Sequence, residues 1–136
     1  MATEISTLTM TFAASTGLKQ YQAVALNSNG RLINPTTEGN CIGILVSSGT
    51  TGSTGRAGST ASGSVQSVAI LGKTKVLAGT TTIDIGDVLK TETDGRASTS
   101  SSTSYRFGMA LNAVDSTSTS AHVIGGLLTP SFGNYA

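Results

Sequence analysis

Ala23-Val24-Ala25-Leu26 leading to Asn29-Gly30-Arg31, and Asp87-Val88-Leu89-Lys90 leading to Asp94-Gly95-Arg96, decide how this chain folds. The two turns lie 65 residues apart, and the same offset of 65 relates Ile42-Gly43-Ile44 to Phe107-Gly108-Met109. Asn-Gly and Asp-Gly between β-prone runs are strong hairpin signals, because a type I′ turn needs positive φ at both central residues. Each unit therefore reads as a strand, a tight turn at Asn29-Gly30 or Asp94-Gly95, a second strand, and a strand carrying Gly43 or Gly108. A glycine inside a strand marks a bulge or a close approach of another backbone.

Working outward, Ser67-Val68-Ala69-Ile70 matches His122-Val123-Ile124-Gly125 at an offset of 55. The ten-residue difference between the two offsets then falls in the intervening loop, where repeats tolerate insertion. Strands are expected from Val65 to Leu71, from Lys73 to Leu77 and from Ala121 to Leu128. Ahead of the repeat, Ile5 to Phe12 ends in alternation, with Leu8, Met10 and Phe12 on one face and threonines on the other. That pattern is a half-buried strand, which either pairs within its own domain or reaches a neighbour as an arm. Three Gly/Ser/Thr-rich segments, Gly49 to Ser64, Ala97 to Ser104 and Asp115 to Ser120, read as loops. The tail from Pro130 carries Phe132 and Tyr135.

Composition supports strands over helices. Of 136 residues, 41 are Ser or Thr and 17 are Gly, while only 11% are charged. Good helix formers are scarce and Val, Ile and Thr are plentiful. The expected fold is all-β: a compact barrel- or sandwich-like domain made from two repeated strand–turn–strand units, with an N-terminal strand or arm. Residues 1–16 form the strand or arm, and residues 17–136 a single β domain with units at about 17–78 and 82–128 and a short tail. So small an apolar content leaves a limited core, which association with other copies or a larger surface would help to stabilise.

The same residues argue against several functions. The net charge is +1, with eight basic residues scattered among seven acids; phosphate-backbone binding needs cations gathered on one face, so no nucleic-acid partner is expected. No stretch reaches the apolar length of a membrane span. Neither a basic n-region nor a long apolar h-region follows Met1, so synthesis in a cytoplasm without Sec export is expected.

Gly72-Lys73-Thr74 ends like a P-loop, but Ser67 stands where that motif needs its first glycine, and an apolar strand replaces the phosphate-cradling loop. His122, the only histidine, with Asp115 and a nearby Ser makes a poor triad. One His and the single Cys41 cannot form a structural zinc site. Asp84, Asp87, Glu92 and Asp94 read as strand and turn carboxylates rather than as a calcium loop. No catalytic, metal or cofactor site is expected.

Gly86-Asp87-Val88-Leu89, Asp94-Gly95-Arg96 and Gly108-Met109-Ala110-Leu111 together resemble the repeat unit of the small capsid decoration (head-associated or cement) proteins of tailed bacteriophages. The first unit departs from that pattern, with Tyr21-Gln22-Ala23-Val24 in place of Gly-Asp-Val-Leu. The resemblance covers residues 17–128. It implies a structural virion protein, made in the host cytoplasm, that binds the outer surface of a phage capsid and cements it. The implied partners are the major capsid protein and further copies of the chain, as a homotrimer by analogy. Ile5, Leu8, Met10 and Phe12 are then the candidate contacts with the shell or a neighbour, since an alternating strand can add to an exposed sheet edge. The alternatives are a head fibre or adhesion module that binds a host glycan or surface protein, and a minor head-completion or tail-tube component.

Overall fold

The computed structural model describes residues 5–35, 41–47, 60–79, 81–100, 106–115 and 122–129, with the side chains described from Leu8 onward. Those residues form nine strands and no helix. The strands are β1 (Ile5–Ala13), β2 (Ala23–Leu26), β3 (Leu32–Ile33), β4 (Gly43–Leu45), β5 (Val65–Ala78), β6 (Val88–Thr91), β7 (Ala97–Thr99), β8 (Gly108–Ala110) and β9 (His122–Leu128).

They close into two rings that share β5. In the first, β1 pairs with β5, β5 with β4, β4 with β2 and β2 with β3. A parallel bridge from Ala14 to Leu32, with the Ser15 N–H donated to the Leu32 carbonyl at 2.9 Å, returns β3 to the end of β1. In the second, the later half of β5 pairs with β9, β9 with β8, β8 with β6 and β6 with β7. Ala78 and Ala97 pair in parallel, and Gly79 donates to the Ala97 carbonyl at 2.8 Å, closing that ring in the same manner. Closure removes most of the free sheet edges that short strands would otherwise expose.

The pairings recur with constant spacing. Ala23↔Ile44 and Val24↔Gly43 correspond to Val88↔Met109 and Leu89↔Gly108; Ala25↔Ile33 and Leu26↔Leu32 correspond to Lys90↔Ser98 and Thr91↔Ala97. All eight residues are displaced by 65. On the closing strands, Ile44↔Ala69 corresponds to Met109↔Leu127, so that offset is 58 and not the 55 expected from local apolar likeness. A run such as Val-Ala-Ile slides along Val-Ile-Gly with little penalty in sequence. Hydrogen-bonded register forbids the slide, because an odd shift turns every side chain to the other face.

The hairpin turns fall where expected but are of another type. Gly30 donates to the Asn27 carbonyl at 3.0 Å and Asn27 to the Arg31 carbonyl at 2.9 Å; Gly95 to Glu92 (3.0 Å) and Glu92 to Arg96 (2.7 Å) repeat the arrangement. Only the glycines have positive φ, +71° and +82°, so each loop is a type I turn followed by a left-handed glycine bulge rather than type I′. The Asn27 carboxamide oxygen accepts the Asn29 and Arg31 N–H groups, holding the first turn from inside.

Two further expectations are corrected. The strands expected on either side of Gly72 are one continuous strand, β5, and Gly72 (φ +108°) lies within it, paired to Ser6 on one side and Leu128 on the other. The segment from Ala97 to Ser104 is not wholly loop: Ala97–Thr99 form β7, held by β6. Two neighbouring strands supply the hydrogen bonds that poor local propensity does not, which is how tertiary pairing overrides composition.

Each ring has its own core. Ala14, Leu18, Val24, Leu32, Leu45 and Val68 fill the first, with Phe12 and Ile42 packed on them. Val76, Ala78, Ile83, Leu89, Ala97, Phe107, Ala110, Ile124 and Leu128 fill the second, which Ala23, Ile44 and Ala69 reach from the outside of the first ring. Each fully buried Leu, Ile or Val contributes about 1.5–3 kcal/mol of hydrophobic stabilisation.

Candidate interaction surface

The glycines singled out in the repeat sit where strands crowd. A Cβ on Gly43 would overlap the Ala69 carbonyl oxygen, and one on Gly108 would overlap that of Leu127. Their lack of a side chain is what lets these strands approach so closely.

Ile5, Leu8, Met10 and Phe12 lie on β1, which pairs in register with β5 of its own chain, from Ile5↔Lys73 to Ala13↔Val65. The Ile5 side chain lies outside the described residues. Leu8 and Met10 are 45% and 50% exposed, whereas Phe12 is half-buried against the first core. The face expected to be apolar and half-buried thus splits, with Phe12 anchoring it and Leu8 and Met10 projecting. Leu71, opposite Leu8 on β5, is exposed beside them. The pairing with β5 shifts register on both sides of Leu8, as it does at β-bulges.

Exposed apolar groups that the sequence reading did not single out as contacts include Met109 and Leu127, paired across β8 and β9, with Val123 further along β9, and Val65 and Ile85 elsewhere. The signal was present in His122-Val-Ile-Gly-Gly-Leu-Leu128, where both alternating sets are apolar. A strand of that kind is buried on both faces or is waiting for a cover.

Two of the carboxylates considered for chemistry hold turns. Asp87 accepts the Asp84 N–H at 2.9 Å, and Asp94 accepts the Arg96 N–H at 3.0 Å while pairing with its guanidinium at 3.3 Å. These are turn contacts. His122 opens β9 opposite Ala78, and its Nε2 is buried. The Cys41 thiol donates to the Gly43 carbonyl at 3.2 Å. Although the residue is half-buried as a whole, desolvation of its sulfur pushes the thiol up to about 12, outweighing the lowering effect of the Gly43 and Val24 backbone. Among the described residues no group of three or more His, Cys, Asp or Glu converges as a metal site would require.

The two rings meet at Tyr21, whose φ of +67° is unusual for a bulky side chain. Its carbonyl accepts the Leu77 N–H at 2.7 Å, its N–H donates to Leu45 at 2.6 Å, and Lys75 lies 5.4 Å above its ring. Gly86 holds the corresponding place in the second unit, with φ +91° and its N–H on the Ala110 carbonyl. The described residues therefore form a double ring with exposed apolar side chains on β1, β5, β8 and β9.

The model of one protein family, described as phage cement protein, matches residues 2–125. Among solved structures, the chain is similar to the head fibre gp8.5 N base of bacteriophage phi29, with a TM-score of 0.55 and 18% sequence identity over 90% of this chain and 93% of that one. At that identity the likeness is one of fold. No curated protein matches the chain in sequence.

Proposed function

This chain belongs to the phage cement protein family, and we propose that its cementing is done by the apolar groups of β1, with Leu8 and Met10 seated on a capsid subunit. It is a structural virion protein of the capsid surface. The observation that carries the reading is the family match over nearly the whole chain, joined to the exposure of Leu8 and Met10 on a strand that is otherwise well paired.

Reinforcement of a shell needs no bond to be made or broken. It needs a body that does not deform and a contact repeated many times, so that weak individual interactions add up over the lattice. Two closed rings sharing one strand supply the first. Apolar side chains of this size contribute of order 1 kcal/mol each when their remaining surface is covered, and copy number supplies the rest. We propose accordingly that the chain has no catalytic role.

The experiment is reconstitution. Particles assembled without this protein are mixed with the purified chain, and bound copies and resistance to thermal disruption are measured. Saturable binding at many copies per particle with a raised disruption temperature is expected. Binding without stabilisation would favour a head-fibre or adhesion role, and absence of binding would overturn the reading.

A further inference from the structure

The turns at Asn29-Gly30 and Asp94-Gly95 share a backbone geometry but differ in what surrounds them. Asn29 and Gly30 are exposed, and a Cβ on Gly30 would meet nothing within 4 Å. Gly95 is buried: its carbonyl accepts the Ala23 N–H, and a Cβ there would come within 2.7 Å of the Ala23 carbonyl oxygen. The Asp94 carboxylate is held too, by the Arg96 N–H at 3.0 Å and the Arg96 guanidinium at 3.3 Å. In the first turn it is Asn27, not Asn29, whose carboxamide accepts the Arg31 N–H. Among the described residues the Asn29 carboxamide holds none of the turn's backbone groups.

An asparagine followed by glycine carries a reaction within its own backbone, because no side chain on the next residue shields the amide nitrogen. We propose that Asn29 is a site of spontaneous covalent modification, converted through a cyclic imide to aspartate and isoaspartate, while the fold protects Asp94 from the same fate. The Gly30 amide nitrogen loses its proton and bonds to the Asn29 carboxamide carbon. The bond from that carbon to Nδ2 breaks, and ammonia leaves. Water then opens the imide. Attack at one carbonyl restores the backbone with aspartate at 29; attack at the other leaves the backbone running through the side chain as isoaspartate. Solvent water is the only co-reactant, and nothing is oxidised or reduced.

The Gly30 N–H is donated to the Asn27 carbonyl at 3.0 Å, so attack waits until the turn opens. Residues 28–31 are all exposed, and β2 and β3 pair only at Ala25↔Ile33 and Leu26↔Leu32. The tip therefore opens without moving a core side chain, and local openings of this kind cost far less than global unfolding. Opening the second turn instead breaks the bond from Ala23 to Gly95 that joins the rings. The other described asparagines are held back. The Asn27 carboxamide oxygen accepts two N–H groups, that of Asn112 accepts the Gly125 N–H at 2.9 Å, and Asn34 precedes Pro35, whose nitrogen has no proton to lose.

The second unit shows that the aspartate product fits. Asp94 and Arg96 stand 65 residues after Asn29 and Arg31, so an aspartate at 29 has a guanidinium at the same spacing. Isoaspartate lengthens the main chain by one carbon and spoils the register of the glycine bulge. The inference rests on the two turns alone and is independent of the cementing reading.

Peptide mapping by mass spectrometry tests it on the full-length protein, kept native or unfolded in urea in the same mildly alkaline buffer. The unfolded sample sets the intrinsic rate of each site, and the ratio of the two rates measures what the fold withholds. Native protein is expected to accumulate aspartate and isoaspartate at 29, with Asn27 and Asn112 intact. Folding should slow isoaspartate formation at Asp94 about tenfold or more beyond its slowing of Asn29. Asn29→Asp should melt like the wild type, as the second turn implies. Native Asn29 that stays intact while the unfolded chain converts overturns the proposal. Equal slowing at the two sites overturns it as well, because the packing of Gly95 would then protect nothing.

Discussion

Ala23 donates its backbone N–H to the carbonyl oxygen of Gly95 at 2.7 Å, and this bond ties the first ring to the turn of the second. Gly95 and Gly30 have the same turn geometry and similar positive φ, yet one is pressed against Gln22 and Ala23 while the other is in the open. Gly30→Ala should therefore cost only the left-handed strain of an alanine, about 1 kcal/mol. Gly95→Ala adds the collision and should cost about 2–4 kcal/mol. Urea unfolding of the two variants measures the difference; equal losses would mean that the joint between the rings yields.

Thr60 ties the chain entering β5 to the first ring. Its buried hydroxyl accepts the Leu18 N–H at 3.1 Å and donates to the Ser15 carbonyl, while its backbone exchanges hydrogen bonds with Leu18 and Gly17. Thr60→Val keeps the shape and leaves both hydroxyl partners unsatisfied, so a loss of about 2–3 kcal/mol is expected. Thr60→Ser should retain most of the stability. Chemical denaturation of the pair separates hydrogen bonding from packing.

Cys41 gives a pH dependence of known sign. Its thiol is raised from 9.0 to about 12 by burial, so between those values the unfolded chain releases a proton that the folded chain keeps. The folded state then binds more protons than the unfolded one, and stability falls as pH rises through this window. The contribution is fully present below pH 9. Cys41→Ala should flatten the alkaline limb of a stability–pH profile. Thiol reagents at pH 8 should modify Cys41 only as fast as the protein opens.

Leu8→Asp and Met10→Asp should leave the melting temperature within a degree or two, since both side chains already face water, and should weaken capsid binding by about tenfold or more. Phe12→Asp places a charge against the first core and should prevent folding. Wild-type capsid affinity in the Leu8 and Met10 variants would move the contact away from β1.

Much of this was legible in the residues. The apolar alternation of Leu8, Met10 and Phe12 placed β1, and Asn29-Gly30 and Asp94-Gly95 placed both hairpins, because such patterns act between near neighbours in the chain. The turn type was not legible. Asn-Gly suits either a two-residue loop or a type I turn with a glycine bulge, and the difference is one residue of strand register. Nor was β5 as a continuous strand: Gly72 looks like a break until Ser6 and Leu128 hold it from both sides.

By itself the sequence determined an all-β chain with its hairpins in place and the family to which it belongs. Only the tertiary structure decided how the strands close, through Ala14 to Leu32 and Ala78 to Ala97, and which apolar row is covered. Ala23–Ile44–Ala69 and Val88–Met109–Leu127 occupy the same places in their rings, and local pattern does not tell them apart. One is buried and the other largely exposed because burial depends on what stands opposite, and among the described residues only the first has a ring to meet it.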